Sequence, residues 1–359
     1  MVDVVGIVHT EEVQGRVRWG VSNAVFFGTV DGLTAQNYSI QLPQGTSLTI
    51  FWGDYTADTY EGIGWDEDWT YNIVDGVAVP PDAAYNISVT HTYAQSGSYE
   101  IRLRGDVEEL RILELTQRKI TANAGRFPQL FPKLVYLRCG GNYFSGDITN
   151  WYQWEFFDTV VAPNMSWTCD LSKWVSSQSI RSFNISNSPV GGDISDLTDM
   201  PNISAISLAS TVNLQGDITS WNISQLQQLT FYNSTSVAGN ISGWSGPNLV
   251  YFILAGSPLT GDVSWISGSP NLMSCRCEDS DLTYDTTASW SNIRVTYGIR
   301  FDGSNWTSTM VDNALIAMAG GPVYNTTINL GGNNAARTSA SDSAKATLLA
   351  NGCSITVNE

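Results

Sequence analysis

The stretch LVYLRCGGNYFSGDIT, Leu134 to Thr149, opens with apolar residues at Leu134, Leu137 and Cys139 and closes on the phrase Gly-Asp-Ile-Thr. Both halves recur along the chain. The LxxLxL half starts at Leu110, Leu134, Phe157, Ile180, Ile203, Leu226, Leu249 and Leu272, with a first interval of 24 residues and 23 thereafter. So regular a spacing marks a solenoid in which every coil repeats one structural unit. Within each coil the apolar pattern predicts a short strand with inward side chains, as in Ile180, Phe183, Ile185 or Leu249, Phe252, Leu254. Cys139, Cys275 and Cys277 fall at inward positions and read as small buried hydrophobes.

The second half places an acid or amide at Asp147, Asp170, Asp193, Asp217, Asn240, Asp262 and Asp285, with an apolar residue three places earlier. The preceding glycine suits a turn with an unusual backbone angle, although Cys169 and Tyr284 replace it in two coils. Coils stack about 4.8 Å apart, so neighbouring aspartates repel by roughly 0.8 kcal/mol in water. A side chain that caps its own turn returns about 1 kcal/mol, so the column is tolerable as structure. One aspartate per coil is a poor calcium cage. Tryptophans follow at Trp151, Trp174, Trp221, Trp244, Trp265 and Trp290, with Leu197 in the slot once. They read as a core column on the back of the solenoid rather than a sugar-stacking stripe.

This repeat resembles the leucine-rich repeat, specifically the plant-type consensus LxxLxLxxNxLSGxIP. The resemblance covers residues 108–292, about eight coils, and implies a parallel-sheet solenoid. It aligns Asn142 with the family's asparagine ladder, Asn187 near it, and Asn164 and Asn233 more loosely. It implies little about function, because such repeats bind unrelated partners.

The rest of the chain is different. Residues 1–30 are β-prone. Residues 31–107 alternate like strands, and the motifs IFWGDY from Ile50 and HTYAQSGSYEIRL from His91 resemble the PKD family of β-sandwiches. That resemblance gives Asp54 and His91 structural roles. The acidic insertion at Asp66, Glu67 and Asp68 is the one weak calcium candidate, against a solvated loop. Residues 293–359 read as helix, strand, helix and strand, an α/β cap on the last coil. The wording NLGGNNAARTSASDSAKATLLANGCSITVN resembles the C-termini of phage virion proteins and some bacterial surface proteins. The expected fold is therefore β-rich, α+β: a PKD-like β-sandwich, a leucine-rich-repeat solenoid and a small α/β cap.

Composition narrows the function. A net charge of -17 argues against nucleic acid or an anionic membrane as partner, and no apolar run is long enough to insert. The N-terminus MVDVVGIVHTEEVQG reads as no secretory signal, so the expectation is either a trimmed chain or exit by another route such as lysis. Two histidines, an odd five cysteines and no CxxC leave few metal ligands, and no hydrolase or nucleotide-binding motif occurs. No catalytic residue or cofactor is assigned. The ten Asn-x-Ser/Thr sequons, inflated by repeat copying, indicate N-glycosylation only in a secreted protein.

The expected function is that of a non-enzymatic bacteriophage virion surface protein, a fibre, adhesin or capsid decoration, oligomeric or part of a larger assembly. Its partners are a host-surface glycan or protein and other virion proteins. A bacterial surface or matrix adhesin is the alternative, and a polysaccharide-degrading enzyme the third reading. The binding residues are those expected to point outward from the strands on the concave face: Tyr136, Arg138, Asn184, Thr230, Tyr251 and Arg276.

Overall fold

The computed structural model describes residues 24–30, 35–64, 72–74, 77–79, 86–95, 97–115, 120–211, 213–234, 236–291, 293 and 295–359. Two units organise them: Met1–Asn72 with Val79–Trp167, and Ile73–Ala78 with Thr168–Glu359.

The first unit begins as antiparallel sheet. Strands run in the order Ile120–Thr121, Ala24–Val30, Gly97–Gly105, Ser47–Phe51 and Ala57–Glu61. A second sheet pairs Ile87–Thr92 with Ala35–Gln41, which in turn pairs antiparallel with Ile112–Glu114. From there the pairing turns parallel, through Tyr136–Arg138 to Thr159–Val161. Period-two alternation sends Leu48 and Ile50 from one strand and Ile101 and Leu103 from another to the inside. They meet Ile40, Leu110 and Leu113 around an apolar cavity of about 20 Å³. Asp54 and His91 fasten the turn between strands. His91 and Asp54 share a 2.8 Å hydrogen bond, the His91 ring stacks 4.5 Å from Trp52, and Tyr93 donates its hydroxyl to the Trp52 carbonyl.

In the second unit eight strands form one parallel ladder: Ser182–Asn184, Ala205–Ser207, Gln228–Thr230, Tyr251–Ile253, Ser274–Arg276, Gly298–Arg300, Thr327–Leu330 and Ser354–Val357. The register aligns Phe183, Ile206, Leu229, Phe252, Cys275, Ile299 and Ile328 in a single buried column. This is the parallel sheet that the sequence period requires. The helices Ser308–Ala319 and Asp342–Ala350 occur where the sequence predicts them. The strands that follow them extend the ladder, so the α/β segment continues the solenoid with two enlarged coils. Gly298–Arg300 is a further rung beyond the predicted repeats. Its apolar residues Val295, Ile299 and Phe301 carry one extra residue in the pattern, which hides it from a strict LxxLxL reading.

A second parallel ladder was not legible in the sequence. Cys169–Asp170, Val190–Asp193, Asn213–Asp217, Val237–Asn240, Leu259–Asp262 and Asp281–Thr283 pair in that order. The Gly-Asp phrase lies at its edge. Gly192, Gly216 and Gly261 all have positive φ there.

The asparagine ladder also differs from expectation. Asn142 is buried, donates to the carbonyls of Leu115 and Cys139, and accepts from the Ile120 N–H. Asn164, Asn187 and Asn233 do not repeat this. Each lies one residue earlier in its coil, at positive φ and exposed, in the place that Gly141, Ser210, Gly256 and Asp279 take elsewhere. The ladder position itself passes to Ser188, Thr211, Ser234 and Ser280, all buried, with Thr211 and Ser280 donating to Leu208 and Cys277 carbonyls at 2.6 Å. Asparagine tolerates the left-handed region better than other side-chain-bearing residues, so the same letter serves two neighbouring positions.

Candidate ligand-binding groove

The outward strand positions of the second unit fall into two columns. The first holds Ser182, Ala205, Gln228, Tyr251, Ser274 and Gly298; the second holds Asn184, Ser207, Thr230, Ile253, Arg276 and Arg300. Gln228, Thr230 and Tyr251 are largely buried, while Asn184, Ile253 and Arg276 are half-buried. At about 4.8 Å between strands, each side chain shields its neighbours in the column. A groove of about 510 Å³ runs over them, lined by Asn184, Ser207, Gln228, Thr230, Tyr251, Ile253, Ser274, Arg276 and Tyr297. A second depression of about 410 Å³ shares Ile253 and Arg276 and adds Tyr232, Asn233, Gly256, Glu278 and Asp279. Four of the six candidate residues, Asn184, Thr230, Tyr251 and Arg276, thus border one groove.

Tyr136 and Arg138 belong to the first unit. Tyr136 is completely buried, which corrects the expectation that it is an accessible outward residue. Its hydroxyl bonds to Glu114 and Arg138. Burial pushes the Glu114 carboxyl up, although Arg138 and the Tyr136 hydroxyl both pull it down. Burial, reinforced by the Glu114 charge, pushes the Tyr136 hydroxyl well above the usual phenol range. A tyrosine held this way builds structure and offers no face to a partner.

Two groove residues were missed. Tyr297 is 57% exposed, and its ring centroid lies 6.0 Å from that of Tyr251. It lies just before the rung that the strict period hides. Glu278 is 7% exposed and follows the Cys275–Cys277 segment. Arg276 donates through Nε, at 3.1 Å, and through Nη2 to the same Glu278 Oε1. Arg300 donates to both Asp302 oxygens, at 3.2 and 3.1 Å, and reaches Glu278 Oε1 at 3.7 Å. The Asp302 hydrogen bond, with Glu278 nearby, holds the Arg300 guanidinium above its ordinary pKa against some desolvation. Glu278 Oε2 is buried and has no hydrogen-bond partner among the described residues.

The other motifs resolve as structure. Asp147, Asp193, Asp217 and Asp262 each accept the backbone N–H two residues on, at 2.8–3.0 Å, and Asp170 does so at 3.1 Å. Each therefore caps its own turn. Trp151, Trp174, Trp221, Trp244 and Trp290 are buried core and Trp265 is half-buried, so these six form no solvent-facing stripe. All five cysteines are buried, and none forms a disulfide. Among the described residues no group of three or more His, Cys, Asp or Glu could hold a metal ion. Asp66, Glu67 and Asp68 lie outside the described residues. No helix among the described residues is long and apolar enough to cross a membrane.

Parallel ladder, inward apolar column, left-handed turn residue and buried polar ladder together define a leucine-rich-repeat solenoid. No family model and no curated protein matches the sequence. Solved structures with some likeness include "Crystal structure of PEPR1-AtPEP1", 15% identical over 70% of this chain and 35% of that one, with a TM-score of 0.47. The leucine-rich-repeat ectodomain of the Arabidopsis receptor kinase HAESA, in complex with an extended IDA peptide hormone, is 17% identical over 67% of this chain and 44% of its own, with a TM-score of 0.44. An internalin (inlF) from Listeria monocytogenes is 12% identical over 69% and 87%, with a TM-score of 0.30. The chain spans about a third to a half of the length of the two plant proteins. At these scores the fold assignment rests on the ladder geometry alone.

Proposed function

We propose that the protein is a non-catalytic binding protein that presents the groove of its second unit to an extended ligand outside the cell, as a surface component of a bacteriophage virion. The observation that carries the binding role is the continuous polar groove from Asn184 to Tyr297, floored by hydroxyl and amide side chains. Such a surface hydrogen-bonds a partner with little desolvation penalty. The virion setting is supported by the resemblance of the C-terminal wording to phage virion proteins, and the PKD-like reading of the first unit fits a spacer module. The test is adsorption of labelled full-length protein to bacterial envelopes. Ile253→Glu with Tyr297→Ala alters two groove residues that are half-buried and exposed, so thermal stability should change by less than about 1 kcal/mol. Adsorption should fall at least tenfold. Wild-type adsorption by this variant would remove the groove from consideration.

A further inference from the structure

We infer that the outer edge of the strand Ala57–Glu61, in the first unit, docks an extended lysine- or arginine-rich polypeptide segment as one more strand, at a place separate from the groove. The strand ends its sheet. It pairs antiparallel with Ser47–Phe51 on one side, and among the described residues no strand pairs with the other side. The register decides which backbone groups are free. Trp52 donates to the Thr56 carbonyl at 3.1 Å and Gly62 to the Thr46 carbonyl at 2.8 Å, so Asp58 and Tyr60 are the hydrogen-bonded positions of the pair. The N–H and C=O groups of Ala57, Thr59 and Glu61 therefore point away from the sheet. Ala57, Asp58, Thr59 and Glu61 are all exposed. Such a row is a template for strand addition. It is also held in shape from within: Trp52 Nε1 donates to Asp58 at 2.7 Å, the Thr49 and Thr59 hydroxyls lie 2.9 Å apart, and the Tyr60 hydroxyl bonds to the Thr90 backbone. A preformed edge loses little freedom when a partner binds.

Charge selects the occupant. Between Arg18 and Arg102 the sequence holds ten Asp and Glu residues and no lysine or arginine. The cations one strand further in are engaged: Arg102 pairs with Glu100 at 2.6 Å, and Arg104 lies 5.1 Å from the centre of the Phe51 ring. Antiparallel pairing with a second copy of the same edge would set Asp58 and Glu61 beside their like-charged counterparts, which is unfavourable. A cationic strand meets the opposite condition. Asp58 shares the inner face with Tyr60, opposite Ile50 and Leu48, whereas Glu61 shares the outer face with Ala57 and Thr59. The matching segment consequently carries cations three residues apart, one for each face.

Tyr55 supplies an aromatic anchor beside this edge. It is fully exposed at the tip of the turn that leads into the strand, at φ 72°, and is the one bulky side chain with positive φ among the described residues. The turn itself is fixed. Asp54 Oδ1 accepts the Thr56 N–H at 3.2 Å and its hydroxyl at 2.5 Å, and Gly53 lies against the Glu100 backbone. A ring held in water on a rigid turn offers a partner a large contact area.

The experiment titrates full-length protein with a peptide of Thr-Val-Lys repeats in a calorimeter. The controls are the same peptide with glutamate in place of lysine, and the lysine peptide N-methylated along its backbone, which keeps the charge and removes the donors. The lysine peptide should bind, and both controls at least tenfold more weakly. Tyr55→Gly relieves the left-handed backbone, so it should raise Tm while weakening binding at least tenfold. Thr59→Pro removes an outward N–H and no ladder bond, and should weaken binding as much in a folded protein. Ile253→Glu with Tyr297→Ala should bind the peptide as the wild type does. Equal binding of the N-methylated peptide reduces the effect to charge attraction and overturns strand addition. Absence of binding by the lysine peptide, or full-strength binding by folded Tyr55→Gly and Thr59→Pro variants, also overturns it. A wild-type dimer that Thr59→Pro abolishes assigns the edge to a second copy and overturns the cationic partner. Peptide binding lost in the Ile253→Glu, Tyr297→Ala variant moves the site to the groove, which overturns this inference and leaves the groove reading standing.

Discussion

At the scale of single residues, the Gly-Asp-Ile-Ser phrase works as a hydrogen-bond relay between coils. Ser195 donates its hydroxyl to Asp193 at 2.7 Å and accepts the Asp217 N–H of the next coil at 3.0 Å. Thr219 and Ser242 likewise accept from Asn240 and Asp262. The glycine is required because a Cβ at Gly216, where φ is +137°, would meet Asp193 Oδ1 at 2.7 Å and Ser195 Oγ at 2.9 Å. Gly216→Ala should therefore destabilise the protein by about 2–3 kcal/mol, combining backbone strain with a clash. Gly243→Ala, with nothing within 4 Å of the added Cβ, should stay within about 0.5 kcal/mol. Urea titration of both variants checks the contrast, and equal stabilities would refute the relay's need for glycine. The Ser195 hydroxyl is the main cause that holds the Asp193 carboxyl below its ordinary value. Ser195→Ala should move that carboxyl back towards 3.8, readable by carbon NMR titration.

At the scale of elements, Asp312 ties the two C-terminal helices together. It lies in the helix Ser308–Ala319, is buried, and accepts from the Thr338 N–H at 3.0 Å, the Thr338 hydroxyl at 2.6 Å and the Ser341 hydroxyl at 2.5 Å. Thr338 in turn caps the short turn that leads into Asp342–Ala350. Burial pushes the Asp312 carboxyl up, but the Ser341 and Thr338 hydrogen bonds, with Arg337 nearby, outweigh it and hold the group below its ordinary 3.8. A carboxyl depressed in the folded state stabilises above its unfolded pKa and loses that contribution as pH falls through the folded one. The helical end of the chain should consequently weaken as the pH drops below about 4. Asp312→Ala should cost about 2–3 kcal/mol at neutral pH, because it removes three hydrogen bonds to one carboxylate, one of them from the buried Ser341 hydroxyl. It should also flatten the acid limb of the stability curve. An Asp312→Ala protein with unchanged Tm and an unchanged acid limb would show the three bonds to be unimportant.

At the scale of the whole molecule, the second unit is a stack in which each coil rests on its two neighbours. Stability in such a stack is a sum of coil and interface contributions. Removing one full period, residues 203–225, joins Asn202 to Leu226 and preserves the spacing of every inward residue. That deletion should fold, keep the β-rich circular dichroism spectrum and unfold cooperatively with a lower urea m-value, since less surface is exposed. Removing residues 203–214 instead puts the pattern out of phase and should prevent folding. A collapsed full-period deletion would refute the independence of the coils.

The period of 23, the inward column and the terminal helices were all legible in the sequence, because local apolar spacing and helix start signals depend on neighbouring residues alone. The turn-capping role of the aspartates was legible for the same reason. The bound on partners was also compositional: the net charge of -17 argued against nucleic acid and anionic membranes. What tertiary structure decided was everything that needs a partner from another coil. Asn187 and Ser188 cannot be told apart as turn and ladder residues until the carbonyls of the neighbouring coil are in position. Tyr136 reads as an outward strand residue, yet Glu114 and its surroundings bury it. Tyr297 and Glu278 look like ordinary repeat letters. They come to line two neighbouring depressions only when parallel stacking brings residues from successive coils together, because side-chain proximity across coils is set by register and not by sequence distance.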